Sequence, residues 1–476
     1  MDSPQITIPR LQEKLRGREI TCAKVVDDYL SRIGNANALN AFLGIFPDRA
    51  RARAKEVDVK INSGAAGKLA GVVIAVKDIL AIKGERLTCG SRILENFVSP
   101  YDATVIKKLE AADAIIIGKT NMDEFAMGSS TENSAFGPVK NPVNPGYVPG
   151  GSSGGSAVAV AANLATAGLG TDTGGSIRQP AALCGVVGMK PTYGRVSRFG
   201  LVAFASSLDQ IGPFANSVED VARILEVICG HDERDSTSAP VAVEEFSKFL
   251  NGEVKGKVIG LPKEYLSDGV QKEIREAVAA ATDRLQKAGA TIKEVSLPHT
   301  KYAIATYYII CTAEASSNLA RYDGARYGHR AKEAKSLEEM YLNSRSEGFG
   351  PEVKRRIMLG TYVLSAGYYE AYYRHAQKVR TLIRRDFEQA FSACDVLLTP
   401  TTPTTAFKLG EKTADPLEMY LADIFTVSVN LAGAPAISIP AGVDAKGLPI
   451  GLQIIGKAFD EKNVLQVGHF LEKSNH

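Results

Sequence analysis

The sequence predicts an α/β fold in which helices sandwich a mixed β-sheet. Short apolar runs, typical of buried strands, alternate with longer amphipathic segments that are typical of helices. No internal repeat, long charge block or disordered composition interrupts the 476 residues. This length allows two or three domains, but single large α/β units also reach it, and we predict one domain over residues 1–476.

The individual elements follow from the spacing of apolar residues. Amphipathic helices are predicted at 8–33, 39–61 and 272–288, and an alanine-rich helix at 156–167. Strands are predicted at 72–76, 114–117, 291–297, 396–398, 435–439 and 450–455, and a short buried strand or loop at 169–172. Residues 302–393 are mostly helical, and we predict a lobe over the functional site with too little core to be a separate domain.

Two runs rich in glycine and serine carry the functional signal. The first glycine run is GGSSGGS at 150–156, and the second is GTDTGGSIR at 170–178. Glycine beside a hydroxyl lets backbone N–H groups approach a reacting atom, as an oxyanion hole requires. Ser176 is therefore a candidate nucleophile that needs a base, and a lone lysine, Lys77, follows the apolar run at 72–76.

Other interpretations of the glycine runs fit less well. A flexible linker does not explain the helix former and the buried segment that follow the first run. A P-loop ends in Gly-Lys-Ser/Thr, whereas no lysine follows Gly155, and the glycines at 168 and 170 are out of register for a dinucleotide fingerprint. The G-x-S-x-G elbow of α/β-hydrolases stays a minor alternative, because Pro145 and Pro149 exclude the strand that must precede it.

Composition limits the class of protein further. The sequence has no H-E-x-x-H, no C-x-x-C and no His/Cys cluster, and its six scattered cysteines are typical of small buried thiols. The net charge of +3 and the basic clusters at 326–335 and 380–385 are too sparse for a nucleic-acid surface, and we interpret them as solvated helix faces. The first residues lack a signal-peptide pattern, and no apolar run could span a bilayer, so we predict a cytoplasmic protein.

The two glycine runs, together with VKD at 76–78, resemble the amidase signature family, and the resemblance extends over nearly the whole chain. The family has a large twisted sheet covered by helices. The resemblance implies Ser176 as the nucleophile, Ser152 as a proton bridge and Lys77 as the base. It also implies a cis peptide bond between Gly151 and Ser152.

This chemistry makes demands on the other residues of the site. Lysine accepts a proton only when it is neutral, and lowering its pKa from about 10.4 to near 7 costs about 4 kcal/mol, which burial can supply. We expect the apolar run at 72–76 to carry the Lys77 amine into the interior. We interpret Asp172 and Arg178 as a scaffold for the second glycine run. The predicted oxyanion hole consists of the backbone N–H groups of Thr173, Gly174, Gly175 and Ser176.

Three more segments resemble one branch of the family, the glutamine-hydrolysing subunits of tRNA-dependent amidotransferases. They are TCGSRILENF at 88–97, KTNMDEFAMGS at 119–129 and EGFGPEVKRR at 347–356. Glutamine carries an α-carboxylate and an α-ammonium, and the resemblance implies that Arg356 and Asp423, respectively, bind them. It implies that Tyr307 lines the pocket, although Tyr308 beside it fits the same part.

The same resemblance implies partners and cofactors. Ammonia would pass to subunits B and C, which use ATP and Mg²⁺ to amidate Glu-tRNA(Gln) or Asp-tRNA(Asn), and this chain would hold no cofactor or metal itself. The misacylated tRNA would be bound mainly by the partner. A free-standing amidase acting on small-molecule amides is the alternative function, and a nucleotide-binding or scaffold protein without catalytic activity is the third.

Overall fold

The computed structural model describes residues 6–266 and 269–474, and a single 11-stranded sheet forms its centre. The strands are β1 Phe42–Ile45, β2 Val73–Lys77, β3 Ile115–Thr120, β4 Ala167–Asp172, β5 Val187–Lys190, β6 Gln210–Ala215, β7 Val258–Pro262, β8 Thr291–Val295, β9 Val396–Pro400, β10 Ala436–Val443 and β11 Pro449–Gly456. Their order across the sheet is β1-β3-β2-β4-β6-β5-β10-β11-β9-β7-β8. Strand β2 is parallel to β3 and β4, and β7 is parallel to β8 and β9, whereas the other pairs are antiparallel. The predicted mixed α/β sheet is confirmed.

Helices cover both faces of this sheet. They are α1 Ile8–Arg16, α2 Cys22–Asn35, α3 Pro47–Ser63, α4 Thr104–Ala111, α5 Gly154–Ala161, α6 Arg178–Cys184, α7 Val218–Ile228, α8 Lys272–Lys287, α9 Ala303–Leu319, α10 Leu337–Gly348, α11 Pro351–Leu364, α12 His375–Ala390, α13 Pro416–Leu421, α14 Val427–Ala432 and α15 Glu461–Lys473. A π-helical turn at Tyr369–Arg374 leads into α12.

The hydrophobic core divides into layers because successive side chains of a strand point to opposite faces of the sheet. In β2, Ile74 and Val76 belong to the larger apolar cluster, and Val73 and Ala75 belong to a second cluster. Helices α2, α3 and α5 contribute to the second cluster, and α7, α8, α9, α12 and α15 contribute to the first. The helical region 302–393 thus shares the main core, and one domain over 1–476 stays our prediction.

The N-terminal region 8–61 differs from the two predicted helices. The first helix ends at Arg16, and α2 begins only after Thr21, whose side chain accepts a hydrogen bond from the Lys24 amide at 3.1 Å. Residues 39–61 include strand β1, and α3 starts at Pro47, which suits the first turn of a helix. The prediction of continuous helices was wrong, because the apolar spacing of a short strand resembles that of one helical turn.

Other predictions can be compared in the same way. Helix α8 is confirmed, and the four residues predicted to share its apolar face, Ile274, Val278, Ala281 and Leu285, are all buried. Strands β5, β6 and β7 were not predicted; each contains glycine, and β6 and β7 also contain proline, both residue types that weaken a strand signal. The basic cluster at 326–335 lies in irregular backbone rather than on a helix, which corrects our interpretation.

The remaining class predictions concern thiols, metals and membranes. All six cysteines are buried and free, as the sequence indicated. Within residues 6–266 and 269–474 there is no group of three or more metal-ligating side chains, and every helix is too short or too polar to cross a bilayer. The first five residues, where a signal-peptide pattern is lacking, lie outside the described part of the chain.

Candidate active site

Sheet topology brings the predicted catalytic residues to one place. Strands β2 and β4 are parallel neighbours, so their carboxyl ends meet at the same edge of the sheet. Lys77 is the last residue of β2, and Asp172 is the last residue of β4, immediately before the loop that contains Ser176. The first glycine run reaches this edge where α5 begins at Gly154.

The Lys77 amine lies inside a shell of hydroxyl groups. Its side chain is 0% exposed, and Nζ is 2.7 Å from Ser152 Oγ, as the predicted proton bridge requires. Nζ also lies 2.8 Å from Ser153 Oγ and 2.9 Å from Thr171 Oγ1. These two further partners come from the two glycine runs and were not predicted from the sequence.

Burial makes this lysine a weak base that can accept a proton near neutral pH. Removal from water lowers the pKa of the Lys77 amine to about 7, because the charged form loses its hydration. The negative charges of Asp123, Asp172 and Asp209 act in the opposite direction. Burial prevails because the hydrogen bonds of the amine go to neutral hydroxyls.

The first glycine run has the backbone geometry that the resemblance implied. The peptide bond between Gly151 and Ser152 is cis. The Gly151 amide donates to Gln179 Oε1 at 2.9 Å, and a side chain on Gly151 would collide with the Asp123 carboxylate. Asp123 itself accepts a hydrogen bond from the Thr131 amide at 2.8 Å, so this carboxylate packs between two backbone segments of the site.

Ser176 differs from its two predicted partners in its access to solvent. Its residue is 8% exposed, whereas Lys77 and Ser152 are both 0% exposed. The Ser176 carbonyl accepts a hydrogen bond from the Ser153 amide at 3.2 Å, which fixes the second glycine run against the first. The candidate nucleophile is thus the member of the predicted triad that a substrate can reach from outside.

The predicted oxyanion hole needs one correction. The Gly175 amide donates to Asp172 Oδ1 at 2.9 Å, so this N–H is already engaged. Among the described residues, no acceptor binds the amides of Thr173, Gly174 and Ser176. Three of the four predicted donors therefore stay available to an oxygen that becomes negative.

Asp172 and Arg178 form the scaffold that the sequence predicted. Both side chains are 0% exposed, and Arg178 Nε and Nη2 each lie 3.0 Å from one oxygen of the Asp172 carboxylate. Burial raises the pKa of Asp172, but the charge and hydrogen bonds of Arg178 hold it well below its usual range. Arg178 Nη1 also donates to Gln453 Oε1 in β11 at 2.6 Å, which connects the loop to the centre of the sheet.

The two residues predicted to bind glutamine are both buried. Arg356 is 3% exposed and Asp423 is 7% exposed. Asp423 Oδ2 accepts a hydrogen bond from Ser129, whereas Oδ1 has no partner among the described residues. Burial raises the pKa of Asp423 to about 7, so a cation arriving at Oδ1 would favour the ionised form. A cavity of about 130 Å³, lined in part by Ser130, Arg356 and Tyr420, opens beside these groups.

The two neighbouring tyrosines occupy different places. A Cβ atom on Gly174 would lie 2.6 Å from the Tyr307 ring, so Tyr307 packs on the predicted oxyanion loop. Tyr308 stacks on Tyr420 with ring centroids 3.8 Å apart, and the guanidinium carbon of Arg356 lies 5.2 Å from the Tyr308 ring centroid. Tyr307 thus contacts the loop and Tyr308 contacts the cation.

Comparison with known proteins agrees with this geometry. The family model described as Amidase matches residues 24–465. The chain belongs to the amidase signature family.

Within the amidase signature family, this chain is 57% identical over 475 residues to a Geotalea daltonii protein named as the A-type subunit of glutamyl-tRNA(Gln) amidotransferase, with 100% of this chain and 98% of the relative covered. It is 43% identical to a Thermotoga maritima crystal structure of the same name, with a TM-score of 0.81 over 98% of this chain and 94% of that one. It is also similar to the native peptide amidase of Stenotrophomonas maltophilia, at 29% identity and a TM-score of 0.83 over 99% and 97%.

Several residues of this amidase site escaped the sequence analysis. Ser153 and Thr171 lie inside the two glycine runs, but only the fold shows that their hydroxyls meet at Lys77. Asp123 lies in the segment at 119–129, where its charge had no predicted partner. Glu352 precedes Arg356 by four residues, a helical spacing that indicates contact, and Arg356 Nε does donate to it at 2.8 Å.

Proposed function

We propose that this chain is the glutaminase subunit of a tRNA-dependent amidotransferase, which releases ammonia from the side-chain amide of glutamine. The observation that carries the chemistry is the buried Lys77 amine, bonded to Ser152 and next to the accessible Ser176. The relatives named as glutamyl-tRNA(Gln) amidotransferase components, which match over nearly their whole length, support the choice within the family.

Acylation begins when Ser176 Oγ attacks the carboxamide carbon of glutamine. The hydroxyl proton moves to Ser152 Oγ while Ser152 passes its own proton to Lys77 Nζ. The carboxamide oxygen becomes negative and is stabilised by the amides of Thr173, Gly174 and Ser176, each worth about 3–4 kcal/mol of the barrier when well placed. The C–N bond then breaks, the leaving nitrogen takes a proton back from the relay, and ammonia departs.

Deacylation uses the same residues in the same roles. A γ-glutamyl ester on Ser176 stays after ammonia leaves, and water attacks its carbonyl carbon. The relay of Ser152 and Lys77 takes a proton from that water and returns a proton to Ser176 Oγ as the ester bond breaks. The products are glutamate and the free serine.

Substrate selection follows from the buried charges of the pocket. Arg356 offers a guanidinium to the α-carboxylate, and the unpartnered Oδ1 of Asp423 offers an acceptor to the α-ammonium. Because both groups are buried, a substrate without these charges would leave them unpaired. This pairing favours glutamine over the aliphatic amides of a free-standing amidase.

The chain is proposed to act within a complex. Subunits B and C would use the ammonia to amidate Glu-tRNA(Gln) or Asp-tRNA(Asn), with ATP and Mg²⁺ bound by the partner and none in this chain. The misacylated tRNA would be bound mainly by that partner. We place the complex in the cytoplasm, where free thiols such as the six buried cysteines are usual.

Ammonia release tests this proposal. We expect the chain, co-expressed with its partner subunits, to release ammonia from glutamine, and Ser176→Ala to lower kcat by at least about 1,000-fold. Arg356→Ala should lower kcat/KM for glutamine by at least about 30-fold, since it removes a buried charge-assisted contact, and should leave the slow hydrolysis of butyramide within twofold.

The control is Arg374→Ala, which removes an exposed arginine that pairs only with Glu370 on the surface. Full activity in Ser176→Ala would exclude serine catalysis. Equal losses on glutamine and butyramide in Arg356→Ala would favour the free-standing amidase.

A further inference from the structure

A group of side chains surrounds the buried guanidinium of Arg356 on the sides away from solvent. Its guanidinium carbon lies 5.2 Å from the ring centroid of Tyr308, 5.5 Å from that of Tyr420 and 5.8 Å from that of Phe204. Tyr308 and Tyr420 stack on each other at 3.8 Å and 23°, so neither ring can turn alone. We call Glu352, Tyr308 and Tyr420 the arginine cage.

Glu352 anchors the cage through one carboxylate oxygen. Oε1 accepts a hydrogen bond from Arg356 Nε at 2.8 Å and another from the Tyr420 hydroxyl at 3.0 Å. The other oxygen accepts from Arg355, one turn along α11. Glu352 lies in the first turn of that helix, where the backbone N–H groups favour a negative charge.

The contact with Glu352 leaves the other edge of the guanidinium free. Arg356 donates to Glu352 through Nε alone, and no described residue accepts a hydrogen bond from Nη1 or Nη2. A carboxylate pairs best with two parallel N–H groups of a guanidinium. The cage therefore uses the one donor that this pairing can spare.

Tyr420 also connects the cage to the second charge of the pocket. The Asp423 amide donates to the Tyr420 carbonyl at 3.2 Å, so the ring against Arg356 and the carboxylate at 423 belong to one turn of backbone. A shift of Tyr420 would change the distance between the two charged groups.

We propose that the arginine cage positions Arg356, so that its Nη1 and Nη2 face the α-carboxylate of glutamine at a fixed distance from Asp423. This inference rests on the proposed function and adds three positioning residues to it. A free arginine side chain loses about 2 kcal/mol of rotamer entropy when a ligand fixes it. The cage removes that cost before glutamine arrives, which is preorganisation.

The test compares glutamine with 4-aminobutanamide, which is glutamine without its α-carboxylate, in the complex with partner subunits. Glu352→Ala is expected to raise KM for glutamine at least tenfold, with kcat changed by less than threefold and KM for 4-aminobutanamide by less than twofold. Glu352→Gln should give a smaller rise, because its amide oxygen still accepts from Nε. Tyr420→Phe should also give a smaller rise, because the ring stack stays.

A matched control is Glu388→Ala, which breaks an exposed Arg–Glu pair of the same helical spacing, Arg384 with Glu388, and should leave both substrates unchanged. Equal rises in KM for both substrates, or no rise for glutamine, would overturn the cage. The wild-type complex separates the two proposals: if it does not hydrolyse glutamine, the proposed function fails and the cage with it, whereas active wild type with an unaffected Glu352→Ala refutes the cage alone.

Discussion

At the scale of single residues, the choice of partners decides how Lys77 behaves. A carboxylate in contact with the amine would hold its pKa high, since opposite charges favour the ionised form. Hydroxyls at 2.7 to 2.9 Å orient the amine without charging it. This explains how the site keeps a proton acceptor within a fully buried shell.

The pKa of Lys77 leads to a pH prediction. We expect kcat/KM for glutamine to rise with pH through about 7, as the amine loses its proton. Asp123→Asn removes the largest of the negative charges that raise this pKa, so the rise should move to lower pH, by up to about one pH unit. A pH–rate profile between pH 5 and 9 measures the shift.

The control for this profile is Glu276→Gln, because Glu276 is an exposed carboxylate on α8 that pairs only with Lys272. It should leave the midpoint unchanged. A midpoint that moves upward in Asp123→Asn, or stays in place, contradicts the assignment of the titrating group to Lys77.

How far the sequence foresaw the site also depends on single residues. The apolar run before Lys77 made burial of the amine predictable. The roles of Ser153, Thr171 and Glu352 were not predictable from spacing alone, because each depends on which loops or helices meet in three dimensions. The engaged amide of Gly175 was missed because Asp172 was assigned to Arg178 and not to the backbone.

At the scale of elements, the ion pair of Asp172 and Arg178 connects β4, α6 and β11. Arg178→Leu leaves a buried carboxylate without its cation, and we expect it to reduce the free energy of unfolding by about 3–5 kcal/mol. Denaturant unfolding followed by circular dichroism measures this loss.

Arg374→Leu is the comparison, since it breaks an exposed pair with Glu370 in the π-helical turn and should not change the unfolding midpoint measurably. Equal midpoints for Arg178→Leu and the wild type would show that the buried pair does not support the fold.

The elements also show where sequence patterns succeed. Long segments with sustained spacing, such as α8 and β11, were predicted nearly to their ends. Strand β1 was misassigned because four residues cannot distinguish a strand from a helical turn. Its position at the sheet edge is set by pairing with β3, a contact between residues far apart in sequence.

At the scale of the whole molecule, buried ionisable groups make stability depend on pH in two directions. Burial raises the pKa of five described carboxyl groups to about 6 or 7: Asp123, Glu124, Asp209, Asp220 and Asp423. Burial lowers the pKa of Lys77 and Lys190 to about 7.

The signs follow from proton binding. Between about pH 4 and 7 the folded state holds more protons on those carboxyls than the unfolded state, so stability falls as pH rises. Between about pH 7 and 10 the unfolded state holds more protons on the two lysines, so stability rises with pH. We expect a minimum in melting temperature near pH 7, measured by scanning calorimetry from pH 5 to 9.

Asp220→Asn separates these contributions, because Asp220 lies away from the proposed site and accepts a hydrogen bond from the Ile8 amide. The variant should flatten the fall between pH 5 and 7 and leave the rise above pH 7 intact. A melting temperature that increases steadily from pH 5 to 7 would contradict the raised carboxyl pKa values.

The burial of all six cysteines has a practical consequence. A maleimide fluorophore would find no native thiol on the folded surface, so one introduced cysteine can be labelled alone. Met358 on α11 is 72% exposed and lies two residues after Arg356, which makes Met358→Cys a suitable attachment point. Emission from that dye would register, in real time, both the docking of companion chains and the filling of the pocket beneath.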